Sequence, residues 1–137
     1  ILWVSNRTTI PGTGQTAGLT ETQMKVWDDA NQNVIWATFE LARNGDGLSA
    51  AFLVTANEPF AGEMRFKRCG DAFDAASWPT DAQSVLIDSS ALRKRGTFDF
   101  AAWKIIEDRA GVLYLANGAT TGYVSRDGGQ NWVVESV

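Results

Sequence analysis

The sequence predicts a mainly β protein: an antiparallel β-sandwich over residues 1–70, then a β-rich segment over residues 71–137 that ends in a tight hairpin. Three observations carry the prediction. Apolar and polar residues alternate with a period of two through residues 35–41. Short apolar runs arrive at intervals of roughly 10 to 15 residues, each bounded by Gly, Asn, Asp or Pro. Six tryptophans are many for this length, and large aromatics suit pleated, half-buried surfaces. The two parts can also form one continuous domain.

The elements follow in order. Ile1, Leu2, Trp3 and Val4 read as a strand, and Pro11, Gly12, Gly14 and Gly18 mark a loop after it. From Thr22 the text is β: Met24 and Val26 alternate with Gln23, Lys25 and Trp27. Residues 28–33 form a turn cluster. Ile35, Ala37, Phe39 and Leu41 then alternate with Trp36, Thr38 and Glu40. "NGDG" at residues 44–47 is a hairpin turn, because Asn-Gly and Asp-Gly tolerate φ > 0. Leu48, Ala50, Phe52 and Val54 carry the next strand, and residues 64–68 a fourth.

Later segments are read more coarsely. Val85, Leu86 and Ile87 suggest a strand, and "DSSALRK" a one-turn helix capped by Asp88 or Ser89. "FDFAAWKIIEDRAG" fits a helix through Phe100, Trp103 and Ile106, or a strand through Trp103, Ile105 and Glu107. The strand is favoured because the following text is plainly β. Strands then follow at residues 112–116, 121–125 and 132–134. No internal repeat shows in the sequence.

Composition excludes several function classes. With 45% hydrophobic and 20% charged residues the chain is globular rather than disordered. A net charge of −4 argues against a nucleic-acid partner, and the short basic run Arg93, Lys94, Arg95 reads as a solvated loop. No apolar run reaches the 18 residues of a membrane helix, and residues 1–4 are too short for the core of a signal peptide. Cys69 is the only cysteine, so the fold is expected to need no disulfide.

The chemistry of a catalytic site is hard to assemble. The chain has no histidine, so a Ser-His-Asp triad, a Cys-His pair and an imidazole metal ligand are all ruled out. Carboxylates remain: Asp28 and Asp29, Asp71 with Asp74, Asp99, Glu107 with Asp108, and Asp127. Most lie in turn text, where Asp serves its own backbone. Asn44 and Asp46 offer too few ligands for a calcium loop. No cofactor and no metal are expected. Trp27 and Trp36 are the other candidates, as an aromatic face that docks a partner chain or stacks on a glycan.

The last hairpin carries "SRDGGQNW", residues 125–132. Ser125, Asp127, Gly129 and Trp132 fill the pattern S-x-D-x-G-x-x-W, which resembles the Asp-box repeat of sialidase-type propellers. Asn131 stands where such repeats usually carry Thr. In that family the boxes lie away from the active site, so the resemblance implies a structural role. It covers residues 111–134. A propeller uses several blades of roughly 40 to 50 residues, and the first half does not read as blades.

Residues 1–70 resemble the opening of a kind of phage structural protein. "TTIPGTGQTAGLTETQMKVW" and "FELARNGDGLSAAFLV" stand where that family has a glycine-rich loop and a "GDGLY"-type turn into an Ig-like sandwich. Ser49 replaces the usual Tyr. The resemblance implies an Ig-like N-terminal sandwich and a non-enzymatic virion component of tail, baseplate or head decoration. Such a component is assembled in the host cytoplasm and works as a homo-oligomer with other virion subunits. The alternative is a carbohydrate-binding or glycosidase-related Asp-box module.

Overall fold

A computed structural model of the chain describes residues 2–9, 19–42, 47–55, 61–72, 74–92, 103–116 and 121–136. Strands β1 (Leu2–Thr9) and β2 (Leu19–Trp27) form an antiparallel pair. A second sheet follows in the order β3-β4-β5-β6: Asn33–Leu41, Leu48–Thr55, Ala61–Cys69 and Val85–Leu92. A third has the order β10-β9-β8-β7, with β7 at Lys104–Glu107, β8 at Leu113–Ala116, β9 at Thr121–Ser125 and β10 at Val133–Ser136. The mainly β, antiparallel class is the expected one. Among the described residues each strand pairs with its neighbour in the chain, so both larger sheets are meanders, simpler than the Greek-key connections of Ig-like domains.

The three sheets stack, with β3–β6 in the middle. Strand β4 shows why: every residue from Leu48 to Thr55 is buried. Leu48, Ala50, Phe52 and Val54 face one side and pack with Val26, Trp27 and Trp78. Ala51 and Leu53 face the other side and join Trp36, Met64 and Phe66 against Ile105, Leu113 and Leu115 of the third sheet. A strand covered on both faces reads as a near-continuous apolar run, and "LSAAFLVT" is one. Removing the ring of Phe66, which is 1% exposed, should cost about 3–5 kcal/mol.

Two expectations are corrected by the pairing. Asp88, Ser89, Ala91 and Leu92 continue strand β6 instead of forming a helical turn, because they pair with β5 at Met64, Gly62 and Ala61. That same strand lies after residue 70 yet completes the sheet of β3–β5. The change from one sheet to the next therefore falls between Leu92 and Trp103. The strand reading of residues 104–107 holds, with Ile105 and Glu107 buried and Lys104 and Ile106 exposed.

The larger sheets also share a register that the sequence hides. Leu48 pairs with Cys69 and Ala50 with Lys67; in the third sheet Leu113 pairs with Ser125 and Leu115 with Tyr123. All eight side chains lie on the face turned toward the preceding layer or at its margin. After each third strand comes an Asp, at 71 and at 127. A Trp follows before the fourth strand, at 78 and at 132. Trp78 packs back on Val26 and Trp27, and Trp132 packs back on Phe66. The unit is repeated in position and burial but not in residue identity, and the 69–78 connection is the longer. Sequence comparison therefore does not reveal it. The first half does contain a four-stranded sheet equivalent to that of the second half.

Candidate functional site

The Asp-box turn joins β9 to β10 and is held almost entirely from within. Ser125 Oγ donates to Asp127 Oδ1 at 2.9 Å and accepts from the Gly129 backbone N–H at 2.9 Å. Asp127 Oδ1 also accepts from the Asn131 backbone N–H at 2.8 Å, and Oδ2 accepts from the Asn131 side-chain amide at 2.6 Å. The Trp132 indole N–H donates to the Gly129 carbonyl at 2.9 Å. These donors, led by the Asn131 amide, hold the Asp127 carboxyl below its ordinary pKa. Asn131, read from the sequence only as a departure from Thr, is a direct partner of the carboxylate.

The two glycines are needed for different reasons. Both adopt left-handed backbone, Gly128 at φ +72° and Gly129 at φ +93°. Gly129 has a second constraint, because a Cβ there would come within 2.0 Å of the Phe66 ring. The turn is thus pressed against the middle sheet. Phe66 and Trp132 meet edge to face, their centroids 5.3 Å apart.

Trp27 and Trp36 do not share a face. Trp27 is 4% exposed and lies between β2 and the middle sheet, 5.5 Å from the Phe52 ring, with Lys67 and Arg65 over its π face. Trp36 is 8% exposed and lies on the opposite side, meeting Trp103 at 6.4 Å. Neither ring is open to a glycan or a partner chain. A bulge between Val34 and Trp36 shifts the alternation on β3, so counting by twos misplaces the indole.

A buried ion pair is the feature that sequence reasoning missed. The Lys67 side chain is 2% exposed, and its Nζ donates to the Val26 carbonyl at 2.6 Å and to Asp81 Oδ1 at 2.8 Å. Asp81 also accepts from the backbone N–H groups of Asp28 and Asp29, at 3.0 and 2.9 Å. Burial alone would raise the Asp81 carboxyl; these donors outweigh it and hold its pKa below the ordinary value. Lys25, Asp28, Trp78 and Thr80 complete an open cavity of about 400 Å³ here. Its inner charges neutralise each other. The only sequence signal was a lysine at the core-facing position of a strand.

The other candidates serve local structure. Asp29 accepts from Asn31 N–H and Asp74 from Ala76 N–H. Asp108 accepts from the N–H groups of Ala110 and Val112 and from the Tyr114 hydroxyl. Asp28 pairs with Lys25, and Glu107 with Arg68 across the two sheets at 2.6 Å. Asp71 sits in the turn with Asp74 and Ser77. Cys69 is buried, and burial pushes its thiol up. Asp99, residues 93–95 and residues 44–46 lie outside the described residues. Among the described residues no group of three or more His, Cys, Asp or Glu is close enough to hold a metal ion. No helix of the described residues is long and apolar enough to cross a membrane. No protein-family model matches the chain, and no curated protein or solved structure matches it either.

Proposed function

We propose that this chain is a non-enzymatic structural protein that works by packing the faces of its β-sheets, as a homo-oligomer among the subunits of a phage virion. One observation carries the structural half of the reading. The Asp-box turns its polar groups inward onto its own backbone and its ring onto Phe66. The candidate carboxylates likewise serve turns or ion pairs, which leaves them poorly placed to act as an acid and base pair on a substrate. The virion setting, in tail, baseplate or head decoration, rests on the resemblance of residues 1–70. The test is molar mass and symmetry in solution: an oligomer supports the reading, and a strict monomer at high concentration counts against it.

A second reading is favoured by the repeat. Two register-matched four-stranded meanders, each with an Asp and a Trp between its third and fourth strands, suit a segment of a propeller. On that reading the chain is an Asp-box module related to carbohydrate-binding or glycosidase proteins. A glycan-binding screen separates the two: saturable affinity for a sugar supports the second reading, while binding only to its own kind supports the first.

A further inference from the structure

The face of the third sheet that points away from the core carries a row of apolar residues in register. Ile106 pairs with Tyr114, Tyr114 with Val124, and Val124 with Val133, so the four lie side by side across β7, β8, β9 and β10. Their inward neighbours Ile105, Leu113 and Leu115 belong to the core, which fixes this row on the outer face. Ile106 is 54% exposed and Val133 49%. In the next outward row, Lys104 stands beside Ala116 at the β7 edge and Glu135 beside Gly122 at the β10 edge.

We propose that this face is where a second copy of the chain packs, outer face against outer face, about a two-fold axis that runs along the strands between β8 and β9. The proposal rests on the assembly reading above and names its surface. The axis lays β7 of one copy over β10 of the other. Ile106 then opposes Val133, Tyr114 opposes Val124, and the small residues Ala116 and Gly122 oppose each other. Lys104 of each copy comes to Glu135 of its partner, twice by symmetry. The charges therefore sit at the two corners where an isologous pair needs opposite signs. Glu135 already binds Arg126 at 2.7 and 2.8 Å, so the added lysine completes a three-charge cluster at the rim. The stacking itself continues one the fold already uses, since the middle sheet is covered by apolar sheet faces on both sides. Aligned face-to-face packing of two sheets is the common solution for such surfaces.

The face is small, four strands of four or five residues each. It falls short of the roughly 1,200–2,000 Å² of a standard complex, so the dimer should be weak and concentration-dependent. The experiment is sedimentation equilibrium of the full chain from about 1 µM to about 1 mM, a range that spans affinities expected of a small interface. Wild type should pass from monomer to dimer. Ile106→Arg and Val133→Arg should each weaken the dimer by about tenfold or more without changing the melting temperature of the monomer. Lys104→Glu should weaken it too, and the double swap Lys104→Glu with Glu135→Lys should restore it. A dimer indifferent to all four variants overturns this surface and leaves the assembly reading standing. A monomer across the whole range overturns both.

Discussion

The Trp132 ring meets the Phe66 ring edge to face at 5.3 Å, and this contact binds the last turn of the chain to the sheet before it. The contact spans two sheets and sits where the Asp-box closes. It makes the motif a piece of inter-sheet packing as well as a turn. The half-buried Trp132 should therefore be worth about 3 kcal/mol on truncation to Ala, seen as a lower melting temperature. A melt within error of wild type would mean the ring is not packed there.

Gly129→Ala should destabilise through two causes that can be separated. The left-handed φ strains any side chain, and the new Cβ would overlap the Phe66 ring. Enlarging the space with Phe66→Leu should relieve the second cause only. A double-mutant cycle should then show favourable coupling of about 1 kcal/mol or more. Strict additivity would place the whole cost in the backbone.

Removing one partner of the Lys67 and Asp81 pair should hurt unequally. Asp81→Ala leaves an ammonium that is almost fully buried with only the Val26 carbonyl, and should cost about 3 kcal/mol. Lys67→Met leaves a carboxylate that is partly in water and still bound by two backbone N–H groups, so it should cost less. Denaturant melts of both variants check the order.

Acid should destabilise the chain below the ordinary carboxyl value of 3.8. Asp81 and Asp127 are both held lower than that when folded. Their contribution is thus complete above the unfolded value and is lost as pH falls through the folded values. Asp81→Asn should flatten the fall in melting temperature over that window. An unchanged slope would show that the pair does not titrate with folding.

Cys69 should resist thiol reagents. It is 2% exposed, donates to the Leu48 carbonyl at 3.6 Å, and has its thiol pushed up by burial. Labelling should follow the unfolding rate, and fast labelling of native protein would contradict the packing.

Much of the fold was legible where the signal is local. The alternation on residues 35–41 and the text of residues 121–134 give their strands directly, and Ser125, Asp127, Gly129 and Trp132 announce the turn. What was lost lies in partners far apart in sequence. Gly129 is constrained by Phe66, Asp81 by Lys67 and two N–H groups on the far side of the sheet, and Trp36 by a bulge. Strand β4 looked one-sided because the layers that cover it come from both ends of the chain. The repeat was invisible because Leu113 stands for Leu48 but Ser125 stands for Cys69, at different spacings.

The claim that the Asp-box is structural is tested most directly by Asp127→Ala, followed by thermal melting beside an assembly and glycan-binding assay run where the variant is still folded. The account predicts a melting temperature lowered by a few degrees, with assembly unchanged and no glycan affinity lost. A variant that melts like wild type but loses binding to a glycan or a partner would contradict it.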